Sequence, residues 1–357
     1  MDRRAWIFFI LIILILGTMI MISAEITVSI KFSGDPSKAF VKVAVKLVLG
    51  FILVLIFSIF HYSLHEELST IYYFLSLILL GGVFFFGGKV HRWIEIGFFS
   101  FQPSEFAKIA TILTLARYLK ERKESLGSFK EGVLKPLLIA SIPAFLIFIE
   151  PDLSTAILIV ALALLMIYSA GAKLLHVGGV MICGGLALMG AYFLGVIKTY
   201  QIERLKSFLQ HNMQDQVLMA IQSAKSGGIL GKGLALGEMK LSVPVSQSDF
   251  IFSIIGEELG YLGIVVILIS YLGLVWSLIK LAEREVLDDF AKFYVYGYSY
   301  LIVLQVTINL GVNVGILPIT GVTLPFISHG GSSYLAFMMG LGIVVSVFFS
   351  KEREEEV

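Results

Sequence analysis

The stretch SQSDFIFSIIGEELG, residues 246–260, sets Asp249, Glu257 and Glu258 at the edge of and inside an apolar run. A carboxylate that faces water but is backed by apolar surroundings can serve as a general base, because partial burial raises its proton affinity. A helix N-terminus pulls the other way, and Asp249 also reads as an ordinary helix N-cap. Glu257 and Glu258 fall deeper in the run, where uncompensated charge is costly, so they must face partners or a cavity.

Four further stretches carry chemistry-bearing residues. In FQPSEFAKIA, Pro103 suits a first helical turn, and Glu105 and Lys108 are spaced i,i+3 on one face. That pair reads equally as a structural ion pair or as a cavity wall. In EPDLST, Pro151 breaks a helix, Asp152 can cap the next one, and Glu150 makes an acidic neighbour. KTYQIERLKSFLQ places Arg204 and Lys206 where they can bind a phosphate, touch lipid head groups or simply be solvated. The last loop, NVGILPITGVTLPFISHGGSS, contains Pro318, Pro325, Gly330 and Gly331, which exclude a regular helix, and Ser328, Ser332 and Ser333, which supply hydroxyls. Irregular backbone at membrane depth is tolerated only inside protein or along a wet cavity. GGILGKG, residues 227–233, is no nucleotide loop: three residues separate Gly227 and Gly231, and Gly233 follows Lys232. A Walker loop needs four, and a Ser or Thr after the lysine. It reads instead as flexible turns before a re-entrant or amphipathic segment.

The elements that position these residues follow from composition. Of 357 residues 57% are hydrophobic and 15% charged, with a mean hydropathy of +0.91, where a soluble domain carries about 25% charged residues. Continuous apolar runs near the roughly 20 residues that cross a bilayer predict an all-α polytopic membrane protein, not a barrel. Ten spans are expected, at about 5–24, 43–60, 69–87, 103–119, 133–149, 153–171, 174–196, 251–280, 290–311 and 331–350. The start has a basic head and a long apolar core and reads as a first span rather than a leader. MDRR, RYLKERKESLGSFKEGVLK and KEREEEV share one face, which puts both termini in the cytoplasm. The long segment of about 197–250, between spans 7 and 8, is then extracytoplasmic, and residues 1–357 form a single transmembrane domain. The net charge of +1 gives no reason to expect a nucleic-acid partner, and one cysteine, Cys183, makes no disulfide framework or thiol metal site.

Taken together, these segments resemble the SEDS family of cell-shape, division and sporulation membrane proteins, whose members are FtsW, RodA and SpoVE. RWIEIGFFSFQPSEFAKIA is similar to the family's RRW…QPSE-x-x-K segment, EPDLST to QPDLGT, and DFIFSIIGEELG to TDFIF…EE-x-G. Asn309, Gly315, Pro318, Gly321, Ser328, Gly330, Gly331, Ser332 and Ser333 follow its last-loop signature. The order of these motifs covers essentially the whole chain. SGDPSKAF, IIGEELG and GVTLPFISHGGSS look nearest to the division-type branch, with the elongation type as the alternative.

The resemblance implies a peptidoglycan glycosyltransferase of the bacterial cytoplasmic membrane that polymerises lipid II and releases undecaprenyl diphosphate. A lipid II flippase and a non-catalytic scaffold are the rival readings. It implies Asp249 as the base, and Glu105, Lys108, Asp152, Arg204, Ser328 and Ser332 as substrate-binding residues. A class B penicillin-binding transpeptidase and divisome or elongasome membrane proteins are the implied partners. No cofactor is required by the pattern, and a divalent cation such as Mg or Mn would suit the leaving diphosphate. Three departures stand out: His329 where Tyr is usual, Glu150 where Gln is usual, and Ser248 where Thr is common. His329 would add a group titrating near neutrality or replace a hydrogen-bonding aromatic.

Overall fold

The structure, a computed structural model, describes residues 4–33, 35–86, 92–96, 99–195, 215–239, 242–243, 246, 248–283 and 287–355. It is built from helices α1 (Ala5–Ser33), α2 (Ser37–Ile59), α3 (Tyr62–Glu67), α4 (Ser69–Phe86), α5 (Pro103–Glu121), α6 (Lys135–Ile149), α7 (Leu153–Ser169), α8 (Leu174–Phe193), α9 (Asp215–Ser226), α10 (Ile251–Ala282), α11 (Asp289–Asn313) and α12 (Gly331–Glu355). A two-stranded antiparallel hairpin, β1 (Ile94–Ile96) and β2 (Phe99–Phe101), pairs Glu95 with Ser100 ahead of α5.

Among the described residues seven helical stretches are long and apolar enough to cross a membrane: α1, α2, Lys130–Ile149, α8, α10, α11 and the Gly331–Ser350 part of α12. The third is α6 extended by a π turn at Lys130–Leu134. Shorter apolar helices occupy α4 and α7. With α5, these match the ten spans read from the sequence. The chain is an all-α polytopic membrane protein.

Three boundaries differ from expectation. Helix α1 does not end near residue 24 but runs on to Ser33, and α2 starts at Ser37. Within the extension Glu25 and Ser29 are buried against protein rather than solvated. The run 251–280 is not one regular helix. Gly260, at φ 67 and ψ −169, breaks it between a short first part and the membrane-length remainder. The segment 197–250 holds the helix α9, while Arg204 and Lys206, with the rest of KTYQIERLKSFLQ, lie outside the described residues.

The chain divides into two compact units. One comprises Met1–Ile56, Leu205–Lys280 and Ile302–Gly342, the other Phe57–Arg204, Leu281–Leu301 and Ile343–Val357. In the second unit α5 packs against α4, α6 and α7, which is why this least apolar span is buried at Ala107, Ala110, Ile112, Leu115, Ala116 and Leu119. Gly297 admits Ile112 and Met166, since a Cβ there would stand 2.7 Å and 2.8 Å from them. Small residues allow such close approach where lipid gives no hydrophobic drive.

In the first unit the glycine-rich stretch 227–233 has a definite task. The Lys232 and Gly233 amides donate to the Glu257 and Glu258 carbonyls (2.9 and 3.0 Å). In return, the Tyr261 and Leu262 amides donate to Gly228 and Ile229 (2.9 and 3.1 Å). The turns thus supply partners for the backbone groups freed by the break at Gly260. Backbone meets backbone here: a Cβ on Gly231 would lie 2.1 Å from the Glu258 carbonyl oxygen.

Candidate active site

Asp249 is half-buried in a turn, two residues ahead of the first helical residue of α10. Its backbone is held from two directions. The side-chain amides of Asn309 and Asn313, one turn apart on α11, both donate to the Asp249 carbonyl, at 3.1 and 2.9 Å. From the last loop, Ser328 Oγ donates to the neighbouring Ser248 carbonyl at 2.7 Å and accepts from the Leu324 amide at 2.9 Å. The Ser248 hydroxyl donates to Asp249 Oδ1 at 3.0 Å. Asp249 Oδ2 lies 3.9 Å from the position a Cβ would take on Gly321, whose φ is +77. The last loop thus approaches the carboxylate through a residue with no side chain. Ser332 is buried in the first turn of α12, and Ser333 accepts a 2.7 Å hydrogen bond from Thr323.

Sequence reasoning named Asn309 only as part of a motif and missed Asn313. Their i,i+4 spacing, which puts both amides on one face of a helix, was the available signal.

The two glutamates of the opening motif have partners in the same unit. Glu257, fully buried, accepts from Ser223 Oγ, Lys232 Nζ and the Met239 amide, each at 2.9 Å. Glu258 accepts from Ser23 of α1. They are structural anchors of the broken helix, which is how two adjacent carboxylates are accommodated in an apolar run.

The second unit holds Glu105, Lys108 and Asp152. Lys108 Nζ pairs with Glu105 at 2.8 Å, with both side chains buried. Asp152 is the N-cap of α7 and accepts from the Thr155 amide at 3.2 Å, so the capping reading of this residue holds. Arg92 is drawn to the same turn, its Nε donating to the Glu150 carbonyl at 3.1 Å and its guanidinium to Pro151.

Of these two departures, Glu150 rather than His329 titrates near neutrality. Burial, and secondarily the charge of Asp152, push the Glu150 carboxyl up to about 8 against the pull of Arg92. Its Oε1 is buried and has no hydrogen-bond partner among the described residues. Burial, then Lys46, hold His329 down at about 4, against the pull of Glu25. The folded state therefore keeps a proton on Glu150 between about 4.5 and 8 that the unfolded chain releases. That contribution to stability is complete below the lower value and is lost as pH rises through the upper one. Glu150→Gln is expected to flatten the fall in melting temperature between pH 6 and 9 and to leave the variant higher by at least about 2–4 °C at the alkaline end. An unchanged slope in a thermal scan of the purified protein would show that Glu150 is ionised throughout.

Among the described residues no group of three or more His, Cys, Asp or Glu side chains is placed to hold a metal ion.

Known proteins are similar along the whole chain. Residues 3–353 match the family of FtsW, RodA and SpoVE, described as "Cell cycle protein". Stage V sporulation protein E of Bacillus subtilis is 35% identical over 283 residues, 77% of this chain and 76% of that protein. A protein from Wigglesworthia glossinidia brevipalpis, called a probable peptidoglycan glycosyltransferase FtsW, is 33% identical over 355 residues, 95% of this chain and 91% of its own. Among solved structures, a chain from work on coordinated polymerization and crosslinking by a peptidoglycan synthase complex superposes with a TM-score of 0.76 at 27% identity. The match covers 97% of both chains. The rod shape determining protein RodA of Thermus thermophilus shares the fold, with a TM-score of 0.69 at 24% identity over 97% of this chain and 96% of its own. With ten spans, a clamped aspartate ahead of a broken helix and a match from end to end, this chain belongs to the FtsW/RodA/SpoVE family of cell cycle proteins.

Proposed function

We propose that this protein is a peptidoglycan glycosyltransferase of the bacterial cytoplasmic membrane that polymerises lipid II. The observation that carries the reading is family membership across residues 3–353 with Asp249 held in place by Asn309, Asn313 and Ser328. In the reaction, the Asp249 carboxylate takes the proton of the acceptor N-acetylglucosamine 4-hydroxyl. That oxygen attacks the anomeric carbon of the donor N-acetylmuramyl group, with inversion, and the bond to undecaprenyl diphosphate breaks. Inverting transfer needs one base on the acceptor side and charge stabilisation on the departing diphosphate. On the match of their motifs to the family's, Arg204 is assigned to that charge, Glu105 and Lys108 to shaping the substrate cavity, and Asp152 and Ser332 to lining it, while Ser328 serves by holding the Ser248 carbonyl. No step is routed through a metal ion.

The division-type role is favoured by the first-loop and last-loop motifs and by relatives called FtsW. The proposed partner is a class B penicillin-binding transpeptidase, supported by the likeness to a chain of a peptidoglycan synthase complex. Incubating the purified protein and its partner with lipid II should yield glycan strands and free undecaprenyl diphosphate. Translocated but unpolymerised lipid II would identify a flippase. Partner binding without either outcome would identify a scaffold. Depletion in cells should give undivided filaments, and rounded cells would assign it to elongation instead.

A further inference from the structure

A second cluster of charge lies in the first unit and takes no part in the reaction described. Its members come from α1, α2 and the last loop. Glu25, buried near the end of α1, pairs with Lys42 of α2 at 2.6 Å and with His329 Nε2 at 3.0 Å. Lys46, one turn beyond Lys42 and buried, donates to the His329 backbone carbonyl at 2.9 Å and lies 3.3 Å from His329 Nδ1.

An ammonium group only donates, so Nδ1 must accept from Lys46. The imidazole proton then sits on Nε2 and is given to Glu25. A neutral ring is what this arrangement needs, and the depressed proton affinity of His329 agrees with it. The groups facing His329 are Glu25, Lys42 and Lys46. Two side chains, Glu25 and Lys46, thus fix both the ring and the main chain of one loop residue. The preceding residue is Ser328, whose hydroxyl holds the Ser248 carbonyl, and Ser248 in turn donates to the Asp249 carboxylate.

We propose that Lys46 and Glu25 are positioning residues for the glycosyl-transfer reaction: through His329 and Ser328 they fix the turn that carries Asp249. The inference rests on the reading of Asp249 as the base. Its physical content is that catalysis tolerates little misplacement of the base, about 1 Å costing as much as 100-fold. Lys46 is gripped at two points of His329, so its loss frees the loop without removing any group that touches substrate.

The test is steady-state polymerisation of lipid II by the full chain with its transpeptidase partner. Lys46→Met is expected to lower kcat about 10–100-fold with little change in KM, while Lys46→Arg restores most of the rate. Combined with Ser328→Ala, the loss should be far less than the product of the two single losses, because both act on the same backbone. A purely structural lysine would lower the melting temperature and the active fraction while leaving the rate per active molecule, and would be additive with Ser328→Ala. If Lys46→Met fails to fold, Lys46→Gln and Glu25→Gln are read in its place under the same criteria. Full activity in the substituted proteins, or additivity, overturns the proposal. Asp249→Asn run alongside separates the two ideas. An inactive Asp249→Asn with fully active Lys46→Met removes only the positioning role, and an active Asp249→Asn removes the base and the relay together.

Discussion

Asp249→Asn should reduce lipid II polymerisation by roughly 10²–10⁴-fold, the usual worth of a positioned general base, and should leave the protein folded. The second half follows from where the contacts fall. Asn309 and Asn313 bind the Asp249 main-chain carbonyl, and Ser328 binds that of Ser248, so none of these depends on the side chain being charged. The hydrogen bond from Ser248 Oγ to Oδ1 can be made equally to an amide oxygen. The melting temperature is therefore expected to stay at the wild-type value while kcat collapses. The acid limb of the pH–rate profile, which reports protonation of the base, should vanish with it. Asp249→Asn turning over lipid II within twofold of wild type would end the assignment.

The largest effect on stability is expected at Gly260. Its φ of 67 and ψ of −169 fall in a region that is essentially restricted to glycine. A Cβ there would come within 2.4 Å of both the Gly231 nitrogen and the Ile229 oxygen. Both are backbone atoms already engaged, the Ile229 oxygen accepting from the Leu262 amide of α10 and the Gly231 amide donating to the Gly227 carbonyl within the turn, so neither can rotate away. Strain alone costs about 1–3 kcal/mol, and the clash adds to it. Gly260→Ala should then lose more than about 3 kcal/mol, a value reserved for such specific lesions. Gly185→Ala in α8 is the control, because a Cβ there meets nothing within 4 Å. It should be neutral or gain up to about 1 kcal/mol from helix propensity. Thermal scans of the two purified variants decide the matter, and equal melting temperatures would mean that the break is not required.

The spans were legible because the membrane imposes a simple rule: about 20 apolar residues, with breakers between them. The α5 span, the least apolar, was legible through its neighbours in order rather than through its own hydropathy. Helix starts were legible from residue type, as with Pro103 in the first turn of α5 and Asp152 capping α7. What could not be read was tertiary pairing. Nothing near Glu25 in sequence announces His329, 304 positions along the chain by residue number (329 − 25). With no partner in view, α1 appeared to stop before its acid. The break at Gly260 was hidden for the opposite reason. A glycine in a long apolar stretch looks like any packing glycine until the turns at 227–233 are known to need the space. That Glu150 rather than His329 titrates near neutrality was hidden on the same grounds, because burial and neighbouring charge, rather than residue type, decide it.

The first unit is assembled from three separate stretches of chain, ending with Ile302–Gly342. Its aspartate is made early, but Asn309, Asn313 and Ser328, which hold the aspartate's turn, all belong to the last stretch. Synthesis proceeds from the N-terminus at about 5–20 residues per second, so a growing chain spends a time on the order of seconds with Asp249 already made and its clamps still to come. A nascent chain that already carries the acid is not yet competent. On the reading of Asp249 as the base, activity therefore waits until the last stretch of the first unit has been made.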